Sequence, residues 1–152
     1  MVETNNIVLP SHANALGTLF GGVLMSWIDI SAAICAQRHS RRVSVTASVD
    51  SLSFLAPVYV GDTVTLKSKV VYTGKSSMVI AVDVTAENPL EGKPRKCVTA
   101  YLNFVAFDEK RKPTSVPQIK LETAEERELF EWAAERRKAL LDQWRKLPAH
   151  DS

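Results

Sequence analysis

His12-Ala-Asn-Ala-Leu-Gly-Thr-Leu-Phe-Gly-Gly-Val-Leu-Met-Ser-Trp-Ile-Asp29-Ile-Ser-Ala-Ala-Ile-Cys-Ala36 is the segment around which the chain is organised. A polar turn, Ser11 to Gly17, leads into two glycines, and these open an almost wholly apolar helix expected to run to about His39. Val23, Leu24, Met25, Trp27, Ile28, Ile30 and Ile34 occupy every face of that helix, the pattern of a helix surrounded by protein. Arg38, Arg41 and Arg42 then suit the negative end of its dipole. One carboxylate, Asp29, sits near the middle. Its neighbours one turn away, Met25, Ser26, Ala32 and Ala33, include no base that could pair with it. A buried carboxylate is costly unless hydrogen-bonded, and burial raises the pKa of such groups in general. Asp29 is therefore the first functional candidate.

Beyond the helix the hydrophobic period changes to two. In Val43-Ser-Val-Thr-Ala-Ser-Val49 the apolar residues fall on odd positions, and in Leu52-Ser-Phe54 on even ones. That switch predicts a β-bulge with Asp50 or Ser51 as the extra residue. Pro57 and Gly61-Asp62 mark a turn. Alternating runs at Thr63–Thr73, Ser76–Glu87 and Arg95–Phe107 follow, the first two joined tightly and the next two by a longer loop, so all three should be antiparallel neighbours. Asp108 to Pro113 is a charged turn that ends the sheet. Residues 1–11 are a lead-in with a short strand at Ile7-Val8-Leu9. Thr123 with Glu126 makes a capping box for a tail helix reaching about Lys146, whose apolar stripe of Leu129, Ala133, Leu140 and Trp144 is interrupted by Arg136. The class is α+β: an antiparallel sheet of four or five strands curled round a central helix, residues 1–118, with a C-terminal helical extension, residues 119–152. Long edge strands in so small a sheet favour a dimer that pairs edges.

Composition narrows the function. The 152 residues are 45% hydrophobic, enough for one domain with a real core. Lys and Arg outnumber Asp and Glu by only 19 to 17, which argues against a nucleic-acid binder. The two cysteines, Cys35 and Cys97, lie in apolar patterns and suit free thiols in a reducing cytoplasm. The polar N-terminus does not follow the plan of a signal peptide. The run from Leu19 to Ala36 is short for a membrane span and carries Asp29, Ser26 and Ser31. A soluble cytoplasmic protein is expected.

The three motifs His12–Asp29, Ser51-Leu-Ser-Phe-Leu-Ala-Pro-Val-Tyr-Val-Gly-Asp62 and Thr73-Gly-Lys-Ser-Ser-Met78 together resemble the hotdog-fold acyl-CoA thioesterases, in particular the bacterial broad-specificity and cytosolic long-chain hydrolases. The resemblance covers residues 7 to 118. It implies a sheet wrapped on a helix, homodimers joined edge to edge, and a trimer of such dimers, a hexamer. It also implies hydrolysis of fatty acyl-CoA to free CoA and a fatty acid with no metal or organic cofactor. Family members set an Asn of one subunit's turn opposite an Asp of the partner's helix, which matches Asn14 and Asp29.

Each candidate has a functional and a structural reading. Asp29 would be the general base, or a nucleophile, and otherwise a carboxylate capping backbone in a crowded interface. Gly21 and Gly22 would aim unpaired amides at the thioester carbonyl, or serve close packing of the helix start. Asn14 would orient water or carbonyl, a role only the resemblance favours over plain turn chemistry. Thr73, Gly74, Lys75, Ser76 and Ser77 form a hairpin tip with a cation, hydroxyls and amides for a CoA phosphate, or a solvated turn. Arg95, Lys96, Lys110, Arg111 and Lys112 are further anion candidates. His12 and His39 lack the Gly-x-Ser-x-Gly elbow of a serine hydrolase, and no metal-ligand spacing exists. Other readings are a non-catalytic acyl-CoA-sensing domain, a partner-binding module built on the Arg-rich tail, and a dehydratase, for which no His precedes Asp29 closely enough.

Overall fold

The computed structural model describes residues 1–148, so positions 149–152 of the tail lie outside the described residues. The central helix, α1, spans Gly21–Ser40. Leu24, Ile28, Ala32, Cys35 and Ala36 recur at helical spacing and are buried, giving α1 one core-facing side. It stops where Arg41 adopts a left-handed φ of 57° and donates its amide to the Gln37 carbonyl at 2.8 Å.

Five antiparallel strands cover that side: β1 (Val2–Ile7), β2 (Val43–Phe54), β3 (Thr63–Thr73), β4 (Ser77–Glu87) and β5 (Arg95–Phe107), in the order β1-β3-β4-β5-β2. This is the hotdog arrangement expected from the sequence. Val64, Leu66, Ile80, Val82, Val84, Val98, Leu102 and Phe104 project from β3, β4 and β5 into the core shared with α1. Two polar contacts buried between helix and sheet are satisfied internally, the hydroxyls of Ser31 and Ser68 lying 2.7 Å apart and those of Ser40 and Ser44 3.0 Å apart.

Two strands depart from expectation. The N-terminal strand is Val2–Ile7 rather than Ile7–Leu9, and it pairs with β3 from Val2↔Ser68 to Ile7↔Thr63. Glu3-Thr4-Asn5-Asn6 has no strand signature. It becomes a strand because the edge of β3 offers a row of unsatisfied backbone groups, and Thr65 Oγ1 donates to Asn5 Oδ1 at 2.8 Å across the pair. In β2 the ladder to β5 skips Asp50, as the parity switch predicts, and also skips Ala47.

The tail helix α2 spans Ala124–Arg145 and starts at the expected box: Thr123 Oγ1 accepts the Glu126 amide, and the Glu126 carboxylate accepts amides from Glu122 and Thr123. Those amides hold the Glu126 carboxyl below its ordinary pKa. Leu129 and Ala133 pack on Val71, Val79 and Ala81, while Phe130 meets Tyr72 and Trp132 meets Tyr101 at ring separations of 4.9 and 4.7 Å. With α1 on one side and α2 on the other, β4 is buried on both faces from Ser77 to Val82.

Arg136 interrupts the apolar stripe of α2 for a reason that lies on another element. Its Nε donates to both oxygens of Asp50, at 3.0 and 3.2 Å, and the Asp50 side chain is only 5% exposed. Replacing Arg136 with alanine leaves that carboxylate buried and unpaired. Urea denaturation should show a loss of roughly 1–3 kcal/mol, whereas exposed Lys138→Ala should cost less than about 0.5 kcal/mol.

The helix is not surrounded on all sides by its own chain, contrary to the reading of its apolar faces. Gly22, Ser26, Asp29, Ile30 and Gln37 form an exposed stripe down α1, Ile30 being 57% exposed. The free edge of β2, with Val43 and Val45 also exposed, lies on the same side of the sheet order as its partnerless end. Cys35 and Cys97 are both free and buried, and burial pushes both thiols above their ordinary pKa. Among the described residues no helix is long and apolar enough to cross a membrane.

Candidate active site

Asp29 lies on the open stripe of α1 and is exposed in the single chain, not buried as expected. Its Oδ1 accepts a hydrogen bond of 2.5 Å from Thr46 Oγ1 on β2. None of the ion pairs among the described residues involves it. Among the described residues Asp29 is thus a carboxylate held by one hydroxyl, with no partner on its other oxygen.

About two turns earlier is the mouth of α1. Phe20 caps the helix without a side-chain hydrogen bond, and its carbonyl accepts the amides of Val23 and Leu24 at 3.0 and 3.2 Å. The amides of Gly21 and Gly22 find no acceptor among the described residues, as the geometry of a helix start dictates. The two glycines differ. A Cβ at position 22 would come within 2.6 Å of the Phe20 ring, so packing explains Gly22. A Cβ at position 21 would meet nothing within 4 Å, so protein packing does not explain Gly21. The open space there is what a ligand's approach to the backbone requires.

Asn14 does perform turn chemistry. Its Oδ1 accepts the amides of Leu16 and Thr18 at 2.9 and 3.2 Å, and its Nδ2 donates to Thr18 Oγ1 at 2.8 Å. This fixes the carboxamide and leaves one N–H of Nδ2 unused. Asn14 is exposed, and no hydrogen bond joins it to Asp29 within one chain.

The hairpin Thr73–Ser77 is more occupied than its sequence suggests. Thr73 and Ser77 are buried. Thr73 Oγ1 donates to Gln118 Oε1 and accepts the Ile119 amide. The Gly74 amide donates to the Ser77 carbonyl, and the carbonyls of Gly74, Lys75 and Ser76 accept from Gln118, Val116 and Ala106. Lys75 remains exposed at the tip, beside half-buried Ser76. Of the other cations, Arg95 is engaged by Asp62, Lys96 lies 3.5 Å from Asp83, and Lys110, Arg111 and Lys112 form an exposed turn. His12 accepts the Leu9 amide and stacks edge-on against Trp27, and His39 Nε2 lies 2.6 Å from the Pro117 carbonyl. Among the described residues no three His, Cys, Asp or Glu side chains gather as a metal site would need.

Thr46 is the site residue that sequence reasoning misses. A threonine in a strand is what β propensity alone provides, so only the fold reveals its hydroxyl on Asp29.

Residues 16–93 match the thioesterase superfamily. The chain belongs to that superfamily. This thioesterase is 46% identical, over 90% of its length and 78% of the relative's, to a Bacillus subtilis protein named as an uncharacterized acyl-CoA thioester hydrolase, YkhA. It superposes on an apo-hexameric acyl-CoA thioesterase with a TM-score of 0.90 and 37% identity, covering 95% of this chain and 93% of the other. A Staphylococcus aureus acyl-CoA hydrolase solved with butyryl-CoA, CoA and CoA disulfide matches with a TM-score of 0.86 and 36% identity, covering 95% and 90%. The same S. aureus hydrolase has been solved with an aspartate, an asparagine or a threonine replaced by alanine, the asparagine variant in complex with CoA. Those three positions, in the order asparagine, aspartate, threonine, have the same separations as Asn14, Asp29 and Thr46 of this thioesterase.

Proposed function

We propose that this thioesterase hydrolyses fatty acyl-CoA to CoA and a free fatty acid, with Asp29 as general base in a site shared by two subunits. The observation that carries this reading is the open stripe of α1. It bears a carboxylate outside any ion pair among the described residues and a helix mouth with free amides, and the carboxylate is tied to β2, the strand at the end of the sheet. A second copy pairing its own β2 there would enclose Asp29 and bring its Asn14 turn to face it. The hexameric relative supports self-assembly, and the CoA-bound relative supports an acyl-CoA as the ligand.

The chemistry follows from the groups present. Asp29 takes a proton from water as the water oxygen attacks the thioester carbon. Charge developing on the carbonyl oxygen is met by the amides of Gly21 and Gly22, at the positive end of the α1 dipole. Collapse breaks the C–S bond, and the proton returns to sulfur, releasing CoA thiol and carboxylic acid. Thr46 holds Asp29 in one orientation, and Asn14 directs the water or the carbonyl. No cofactor enters these steps. Lys75, with Ser76, is the group of the hairpin free to meet a CoA phosphate, and Thr73, Gly74 and Ser77 set its position. The two free, buried thiols support a cytoplasmic setting.

A thiol-release assay across CoA esters from short to long chains tests the reading. Turnover of at least one ester class is expected. Tight acyl-CoA binding without thiol release would favour a sensing domain instead. Thr46→Val keeps the shape of the side chain and removes the donor, so kcat should fall roughly tenfold or more with KM little changed. Single turnover in heavy-oxygen water separates base from nucleophile, since only a nucleophilic Asp29 acquires the label.

A further inference from the structure

We infer that Arg95 and Asp62 are positioning residues for the active site: a half-buried latch that fixes the turn bearing Asn14 and, through it, the mouth of α1. The inference rests on the hydrolase reading above, but its geometry is independent of it. Asp62 lies in the loop between β2 and β3, and its side chain is only 4% exposed. Its Oδ2 accepts from Arg95 Nη2 and, at 2.9 Å, from the Tyr59 amide. Arg95, at the start of β5, also donates Nε and Nη2 to the Pro57 carbonyl at 3.2 and 2.9 Å and lies 5.5 Å from the Tyr59 ring centre. Burial works against the charge on Arg95, yet the hydrogen bond and attraction of Asp62 outweigh it and hold its pKa above the ordinary value. One guanidinium thus grips both ends of the 57–62 loop.

The site turn is built on that loop, whose Val58 is also seated in the core. The Val58 carbonyl accepts the Leu19 amide at 2.8 Å, and Thr18 and Tyr59 form a bridge. Thr18 is the residue that receives the Asn14 side chain, and Phe20, the next residue but one, is the N-cap of α1. The Gly61 amide and the Asp62 carbonyl bond to Val8, with Gly61 at a φ of 91° that favours glycine. Arg95 is therefore linked to Asn14 through the 57–62 loop and its bonds to residues 17–19, and to the helix mouth through the backbone from Thr18 to Phe20, although nothing places it on the substrate. Misplacement of such groups by about 1 Å costs up to about a hundredfold in rate.

The test compares Arg95→Ala, Arg95→Lys and Asp62→Asn with the unaltered protein. Amide hydrogen exchange is measured first, because it needs no activity. Exchange across residues 14–22 should accelerate about tenfold or more in Arg95→Ala, with β4 unchanged. An unchanged turn, or acceleration spread evenly over the chain, overturns the latch. Turnover of the acyl-CoA ester that the unaltered protein uses fastest is measured next. Arg95→Ala should lower kcat about tenfold or more with KM within about threefold, and Arg95→Lys should be intermediate. Leu129→Ala, which destabilises the α2 packing away from the site, should lower Tm without that loss of kcat. In an Asn14→Ala background Arg95→Ala should cost much less than it does alone. Full multiplication of the two effects, or an undiminished kcat in Arg95→Ala, overturns the proposal. If Arg95→Ala does not fold, Arg95→Lys and Asp62→Asn carry the same comparisons. Failure of the unaltered protein to release thiol counts against the hydrolase reading alone and leaves the exchange result to decide the latch.

Discussion

Asp29→Ala should reduce thiol release by at least about a hundredfold, the range for removal of a general base. The loss should appear in kcat rather than KM, because the carboxylate acts on water and not on the CoA moiety. Asp29 is exposed in the single chain and holds one hydrogen bond there, so its removal should leave the fold intact. Thermal unfolding followed by circular dichroism checks that point, with a change expected within about 1 kcal/mol. Asp29→Asn should behave like Asp29→Ala, since an amide preserves the shape and the bond from Thr46 but accepts no proton. A folded Asp29→Ala protein with ordinary turnover would remove the base assignment and with it the mechanism.

The second large effect is a recovery. Asn14→Ala and Asp29→Ala proteins should each be impaired, Asn14→Ala by about tenfold or more. If the site combines Asn14 of one subunit with Asp29 of another, a mixed dimer holds one site with both residues intact and one with neither. Equal mixing with free exchange should then restore roughly a quarter of the unaltered activity by the symmetry of the pair. Recovery is read after mild denaturation and refolding of the mixture, and light scattering reports the assembly. A mixture no more active than the average of its two components would place both residues in one subunit's site.

Much of this architecture is legible in the residues themselves. The Gly21-Gly22 pair before an apolar run marks the start of α1, the three alternating runs mark β3, β4 and β5, and the parity switch marks the bulge at Asp50. These signals are local, and local chemistry decides them. What was not legible depends on partners distant in sequence. β1 is polar and is recruited by the edge of β3. Arg136 breaks a stripe because its partner Asp50 lies 86 residues away, and the Thr73–Ser77 hairpin is occupied by Ala106, Val116, Gln118 and Ile119. The candidate site divides in the same way. Asp29 stands out because an unpaired acid is conspicuous in an apolar helix. Thr46 is inconspicuous in a strand, and Arg95 has the sequence appearance of one more surface cation. The apolar residues on every face of α1 misled about the single chain, whose own elements leave Asp29 and Ile30 exposed.

The two sulfhydryls in the core have a bearing on the product. Each turnover on the proposed path liberates a mercaptan, and in oxidising moments that mercaptan becomes a disulfide able to cap any accessible, ionised cysteine. Cys35 and Cys97 are buried, and burial raises both thiols above their ordinary pKa, which disfavours the reactive thiolate. Both thiols are thereby poor partners for a mixed disulfide with the leaving group, and a colorimetric thiol reagent added to the native protein should count mainly coenzyme.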